Sequence, residues 1–277
     1  MEKISIMING LPGNVAKTMV SGALKDNRFQ VIPYSLTGPD IDQAVLTRDG
    51  IEFFLVKPDQ RDQIIQELLE KTKSLICIDY THPSAVNDNA DFYVRHNIPF
   101  VMGTTGGDRK ALALVVENGQ TPAVIAPNMA KQIVGLQAMM DYGARTFPDL
   151  FAGYTLKVKE SHQHGKADTS GTAKAMVGYF NGMGANFSVD QIEKIRDPLI
   201  QENEWKIPNA HLAGHGWHTY TLTSPDDTVL FEFKHNINGR EIYVPSTLDA
   251  VVFLNGKLNL PDAGKRLYTM IDVLKKA

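Results

Sequence analysis

Cysteine is nearly absent from this 277-residue chain, in which Cys77 stands alone. One thiol closes no internal disulfide, so packing must hold the fold, as suits a reducing compartment. Cys77 lies in the apolar run Ser74-Leu-Ile-Cys-Ile-Asp79 and is expected to be a small buried hydrophobe. No apolar stretch approaches the ~20 residues of a membrane span. The short run at residues 4–8 stops at Asn9-Gly10, unlike a signal peptide. Charge of one sign is nowhere massed: 28 basic residues face 31 acidic ones, for a net charge of -3. That balance argues against nucleic-acid and anionic-membrane partners. Internal repeats and low-complexity segments are also missing.

What is present is ordinary globular composition, 43% hydrophobic and 21% charged, enough for one large domain or two modest ones. Residues 3–8, 30–35, 52–56, 74–79, 100–102 and 123–126 read as strands. Most are continuously apolar, as in strands covered on both faces. Residues 16–25, 60–71, 84–96 and 109–118 read as helices between them. This alternation predicts a Rossmann-like, doubly wound parallel α/β sheet. A long helix is expected after Asn128 as N-cap, ending at Phe147-Pro148. Residues 154–161, 217–224, 229–236 and 240–245 then read as strands, and the tail as a helix with Leu267, Met270, Ile271 and Leu274 on one stripe. The expected architecture is therefore a parallel α/β domain (1–130 and 250–277) plus a C-terminal α+β domain with a mostly antiparallel or mixed sheet (131–249).

Strand one ends in Gly10, Leu11, Pro12, Gly13, Asn14 and Val15, with helix-like sequence after them. Such glycines let the backbone turn tightly and approach a pyrophosphate, whose charge a helix N-terminus favours. A plain structural turn is the alternative, and its place after a strand and before a helix favours the ligand reading. Two further strand exits, Asp79-Tyr-Thr-His-Pro-Ser-Ala85 and Gly103-Thr104-Thr105-Gly106, fall on the same expected edge. The exit of strand two offers Tyr34-Ser-Leu-Thr37 in place of an acidic ribose ligand, so NADPH and NADH both stay open, with a lean to NADPH.

The densest chemistry is Glu160-Ser-His-Gln-His-Gly-Lys-Ala-Asp-Thr-Ser-Gly-Thr-Ala173. In extended chain, Glu160, His162 and His164 share one side. His162 and Lys166 are candidate proton donors, and both help hold an anion when cationic. Asp168 or Ser170 is a candidate helix cap. The amides of Gly171, Thr172 and Ala173 then offer a seat for a carboxylate. A metal site is the competing reading, with His162, His164, His215 and His218 as imidazoles and Glu160 or Asp168 as carboxylate. The fit with Lys166 and a nucleotide cleft disfavours it, and no metal is expected. His218 and Arg240 are candidates for the same cleft. His82 and His235 read as residues beside strand ends.

With these residues in view, the chain resembles the 4-hydroxy-tetrahydrodipicolinate (dihydrodipicolinate) reductase family of lysine biosynthesis. The 160–173 block is the specific signal. Residues 10–16, 79–85, 103–106, 126–129 and 235–250 support it. The wording of the block, with Leu222-Thr-Ser-Pro-Asp226 and Phe231-Glu-Phe-Lys-His-Asn236, is similar to the plant-type branch. The resemblance implies an N-terminal dinucleotide domain, a C-terminal substrate and oligomerisation domain, and a tail helix returning to the first. It implies His162 as the acid and Lys166 as the lysine proton donor. Gln163, Ser170, Gly171 and Thr172 become substrate-binding residues. Gly10 to Val15, Gly103 to Thr105, and Ala126, Pro127, Asn128 and Met129 become dinucleotide contacts. NADPH or NADH, a small dicarboxylate substrate, a homo-oligomer (dimer or tetramer), and a cytoplasmic location (plastid stroma for a plant chain) follow as expectations. Departures are Gln163 in place of a second histidine, Thr169 alone before the Ser-Gly-Thr turn, Val15-Ala16 for the usual Met-Gly, and Asn14 for a basic residue. A reductase of another small carboxylate, and a non-catalytic dinucleotide-sensing module, are the alternatives.

Overall fold

The computed structural model describes residues 2–258, 264 and 266–275. The chain divides into two compact units, residues 1–134 with 241–277, and residues 135–240. In chain order the first part comprises β1 Ile4–Asn9, α1 Asn14–Ala23, β2 Phe29–Val31, β3 Tyr34–Leu36, β4 Val45–Arg48, β5 Ile51–Val56, α2 Arg61–Lys71, β6 Leu75–Asp79, α3 Val86–Arg95, β7 Phe100–Met102, α4 Arg109–Asn118 and β8 Ala123–Ile125. Then come α5 Lys131–Thr146, β9 Thr155–His162, α6 Gly171–Gly182, β10 Glu193–Ile195, α7 Pro198–Asn203, β11 His215–Thr223, β12 Leu230–Asn238, α8 Tyr243–Leu258, β13 Leu267–Tyr268 and α9 Met270–Lys275.

The first unit is built on a six-stranded sheet of order β13-β8-β7-β6-β1-β2, parallel throughout. Its strands are apolar on both faces because both faces are covered. Ile6, Ile8, Ile76 and Ile78 join one core with α1 and α8. Met7, Cys77, Phe100 and Met102 point the other way, into a core with α3 and α4. Alternate side chains of one strand thus feed two cores. Cys77 is fully buried, and burial pushes its thiol far above the usual range.

Two expectations fail here, each for a physical reason. Residues 30–35 do not form one strand. Ile32 still bonds to Ile6 O, but Pro33 has no N–H to continue the ladder. The chain bends, and β3 pairs instead with β5 in a separate three-stranded sheet completed by β4. Residues 240–245 are not a strand either. Ile242, Tyr243 and Val244 carry β-type side chains, yet α8 begins at Tyr243. Pro245 sits in its first turn, where a missing N–H costs nothing. Packing overrides propensity: a Cβ on Gly22 of α1 would lie 2.2 Å from Val244 Cγ1, so the two helices approach through glycine. Residues 241–249, which sequence placed with the second domain, therefore belong to the first unit. Likewise Leu267 is in β13, paired to β8, rather than on the tail helix. Helix α5 starts three residues after Asn128, whose Oδ1 accepts from Ala130 N–H.

The second unit carries a four-stranded mixed sheet, β10-β9-β11-β12. Strand β9 alternates as expected: Leu156 and Val158 are buried, Lys157 and Lys159 exposed. One face of the sheet packs on α6 through Ala173, Met176, Val177 and Phe180. Among the described residues no helix is long and apolar enough to cross a membrane.

Candidate active site

Strand register builds the site. Val158, Tyr220 and Phe233 lie in one rank across β9, β11 and β12, against the apolar core. Two residues along, the same face becomes ionisable: Glu160 stands opposite His218, and His218 opposite His235. His162 closes β9 opposite Gly216. A Cβ at Gly216 would come within 3.1 Å of His162 Cε1, so glycine leaves room for that ring. His162 Nδ1 donates to His215 O at 3.1 Å, and its Nε2 lies 3.4 Å from His218 Nε2. The rings of His218 and His235 stack at 4.6 Å.

A loop of residues 163–169 joins this cluster to α6, and Arg196 clasps it. The Arg196 guanidinium reaches Lys166 O at 2.8 Å, Glu160 Oε1 at 2.5 Å and Glu160 O at 3.3 Å. Glu160 Oε2 in turn accepts from Ser170 N–H at 3.0 Å. Gln201, almost wholly buried, donates to His162 O at 2.7 Å. Glu160 is fully buried and the Arg196 side chain only 15% exposed. Sequence reasoning missed both Arg196 and Gln201.

The predicted residues fall out as follows. Ser170 occupies the N-cap of α6 and is buried, but its side chain makes no capping bond. The first helical bond runs from Lys174 N–H to Ser170 O, so the amides of Gly171, Thr172 and Ala173 precede it. Gly171 is exposed and Thr172 half-buried. Gln163 is half-buried and turns the loop, its carbonyl accepting from Lys166 N–H. Asp168 is not the cap. It pairs with Lys166 Nζ at 2.6 Å, and that hydrogen bond holds its carboxyl below the usual range. His164 leaves the face shared by Glu160 and His162, because β9 ends at His162. It is exposed and bonds Arg196 O. His235 lies within β12 rather than beside a strand end.

Glu160, His162 and His218 offer three ligand atoms within 4.8 Å of one another. Both Glu160 oxygens are already engaged, by Arg196 and by the Ser170 amide, and Arg196 balances its charge. A cation there would have to displace that pairing.

Burial dominates the electrostatics. It lowers His162 to about 4, where Glu160 opposes the shift and the Arg196 and Lys166 charges add to it. Burial also depresses His218 strongly and takes His235 to about 4. All three are therefore neutral in the folded protein at pH 7, whereas an unfolded histidine titrates near about 6.5. The unfolded chain takes up protons first as pH falls, so stability is lost from about pH 6.5 down toward pH 4. The buried His218 contributes up to about 1.4 kcal/mol per pH unit, the half-buried His162 and His235 less. Urea unfolding at pH 7 and pH 5, above most carboxylate titrations, is expected to show this slope, and His235→Phe to flatten it. A pH-independent midpoint in that range would contradict it.

The nucleotide candidates gather on one edge of the first unit, at the carboxyl ends of β1, β7 and β8. Gly10 N–H bonds Leu36 O, and Gly13 N–H bonds Gly10 O. Gly13 and Asn14 are exposed at the start of α1, and Val15 and Pro12 are half-buried. Gly103 is half-buried, and Thr105 and Pro127 are exposed. Leu11, Ala126 and Met129 are core side chains, so any contact to a nucleotide would be through their backbone. The Thr104 hydroxyl is taken by Asp79 at 2.6 Å. Residues 34–37, at the expected exit of strand two, brace the loop: Leu11 N–H donates to Ser35 Oγ, and Thr37 Oγ1 to Leu11 O. Tyr80 explains two glycines. A Cβ on Gly10 would lie 2.2 Å from Tyr80 O, and one on Gly103 would lie 2.4 Å from the Tyr80 ring. Gly10 also holds φ +110, which favours glycine. Gly10→Ala is expected to cost more than about 2 kcal/mol and to weaken NAD(P)H binding. Wild-type urea stability and nucleotide affinity in that variant would refute the packing argument. The exposed α1 N-terminus behind a glycine turn fits a dinucleotide pyrophosphate.

Comparison with known proteins identifies the family. The family profile "Dihydrodipicolinate reductase, N-terminus" matches residues 4–129, and "Dihydrodipicolinate reductase, C-terminus" matches residues 133–274. The chloroplastic 4-hydroxy-tetrahydrodipicolinate reductase 1 of Arabidopsis thaliana is 45% identical over 99% of this chain and 78% of its own. A probable chloroplastic counterpart from Oryza sativa subsp. japonica is 41% identical over 98% of this chain and 78% of its own. A dipicolinate-bound dihydrodipicolinate reductase from Paenisporosarcina sp. TG-14 shares the fold, with TM-score 0.66 at 17% identity, over 97% of this chain and 98% of that one. The chain therefore belongs to the dihydrodipicolinate reductase family.

Proposed function

We infer that this protein reduces 4-hydroxy-tetrahydrodipicolinate to tetrahydrodipicolinate, releasing water, in the diaminopimelate route to lysine. The observation that carries this reading is the grouping of His162, Lys166 and the α6 N-terminus around the Glu160–Arg196 pair. The nicotinamide nucleotide, when bound, supplies a hydride. Gly10, Gly13, Asn14, Val15, Gly103 and Thr105 would hold it. The amides of Gly171 and Thr172 and the hydroxyl of Ser170 or Thr172 hold one substrate carboxylate, and the Lys166 ammonium neutralises it. Fixing that carboxylate orients the ring. Lys166 and His162 then supply the proton and stabilise charge that develops opposite the hydride. His162 is neutral in the ligand-free protein, and a dianionic substrate beside it raises its proton affinity.

A dicarboxylate is the ligand class that suits a lysine beside exposed helix amides, and a solved family member is described as dipicolinate-bound. The residues that leave β2, Ile32, Pro33 and Tyr34, carry no carboxylate to bind a ribose 2′-hydroxyl or repel a 2′-phosphate, which supports NADPH over NADH. The expected oligomer would draw on the edge strand β12, where Leu230 and Phe231 are exposed.

The test is a substrate panel with NADPH and NADH, followed by nucleotide absorbance. Rapid oxidation only with freshly made 4-hydroxy-tetrahydrodipicolinate is the expected result. Oxidation with a different small acid, or tight nucleotide binding with no oxidation at all, would overturn the reading.

A further inference from the structure

Both ring nitrogens of His162 meet protein groups, and their chemistry fixes where its proton lies. Nδ1 faces the His215 carbonyl, which has no proton to give. Nδ1 therefore carries the hydrogen, and Nε2 of the neutral ring is an acceptor. The group facing it is His218 Nε2, at 3.4 Å. His218 must accordingly bear its hydrogen on Nε2, which leaves its buried Nδ1 as a bare lone pair. That nitrogen indeed has no partner among the described residues. A second acceptor lies near the same hydrogen: Glu160 Oε2, 3.9 Å from His218 Nε2. The His218 ring is stacked on His235 at 4.6 Å and lies parallel to Tyr220 at 6.4 Å, so it cannot swing freely.

We infer that His218 is a positioning residue for His162, its Nε2–H donating to His162 Nε2 from a ring held by its stack on His235. With His162 neutral, this hydrogen bond adds to the His215 carbonyl in favouring the Nδ1–H tautomer, with Nε2 as the basic nitrogen of the ring. When His162 is protonated at Nε2, that acceptor is lost, and Glu160 Oε2, 3.9 Å from His218 Nε2, is too far to replace it with a hydrogen bond. The His218 bond also favours neutral His162 and keeps it a strong acid. The charged and titratable groups that face the pair are Glu160 on β9, Arg196 beyond β10, Lys166 on the loop, and Tyr220 and His235 on β11 and β12.

This inference rests on His162 acting as the acid in the proposed reaction. Its test reads the ring directly. Long-range proton–nitrogen NMR correlations of labelled enzyme, assigned with His162→Gln, report tautomer and titration. His162 is expected to be the Nδ1–H tautomer in the wild type. His218→Phe keeps the ring stack but removes the donor. It is expected to raise the His162 titration midpoint by about one pH unit and to lower kcat at least about tenfold with KM changed less than about twofold. His218→Gln, which keeps an N–H donor, should recover part of the kcat and bring the His162 midpoint back toward the wild-type value. Should the Phe variant fail to fold by circular dichroism, His218→Met is read in its place. An unchanged His162 midpoint in a folded donor-less variant would overturn the inference. Loss of the reductase reading alone would appear differently, as a wild type with the stated tautomer and no activity.

Discussion

Lys166→Ala is expected to lower turnover by about 10²-fold or more and raise the substrate KM, while NAD(P)H affinity stays within about twofold. The split follows from position. Lys166 is in the second unit, and the candidate nucleotide contacts are all in the first. Stability is not the cause of the loss. The ammonium pairs with Asp168, whose side chain is 75% exposed, and an open pair of that kind is worth at most about 1 kcal/mol. In the proposed reaction lysine suits the place because its compact ammonium head would neutralise a carboxylate held at the amides of Gly171 and Thr172. Lys166→Arg keeps the charge but spreads it over a planar fork, and partial activity is expected. Steady-state kinetics with fluorescence titration of NAD(P)H checks the prediction. Equal losses of turnover and nucleotide affinity, or full activity, would contradict it.

Arg196→Ala is expected to cost more stability than any substitution on the loop itself. It removes the donor to Lys166 O and leaves the buried Glu160 carboxylate without its cation. Breaking a buried pair from one side costs about 3–5 kcal/mol, and the loop that presents Lys166 loses its tether. Thermal and urea melts should show the stability loss, and kcat/KM should fall by about 10²-fold or more. The double variant Glu160→Leu with Arg196→Met separates the two effects. Stability should largely return, since no charge is then stranded. Activity should not, since neither the Lys166 carbonyl nor the Ser170 amide regains a partner. A double variant that recovers activity would mean that the pair holds nothing the reaction needs.

What could be read without coordinates, and what could not, follows the range of the forces involved. Helix α4 runs over 109–118 as its periodicity implies, with Asp108 accepting from Lys110 and Ala111 N–H as a cap. Strands β1 and β6 are legible because a short, continuously apolar run suits a strand covered on both faces. His162, Lys166 and the α6 turn are visible as a group because they lie within a dozen positions of one another. Arg196 is 36 positions from Glu160 and is followed by Asp197-Pro198, which reads only as a helix start. His218 and His235 left a faint signal: they are equidistant from the turn at Asp226-Asp227, so a strict hairpin reading pairs them. Helix α8 was hidden by its own β-type residues, because the preference for helix comes from the close approach to α1 at Gly22. The braces from Ser35 and Thr37 to Leu11 were equally hidden, since they depend on β3 leaving the main sheet at Pro33.

Isotope transfer tests the central claim most directly. The protein is incubated with 4-hydroxy-tetrahydrodipicolinate and NAD(P)H deuterated at the nicotinamide C4, and the product is analysed by mass spectrometry. The account predicts tetrahydrodipicolinate with one deuterium for each nucleotide oxidised, and almost none formed by Lys166→Ala under the same conditions. Oxidised nucleotide with no label in that product, or labelled product formed as fast by the variant, would contradict it.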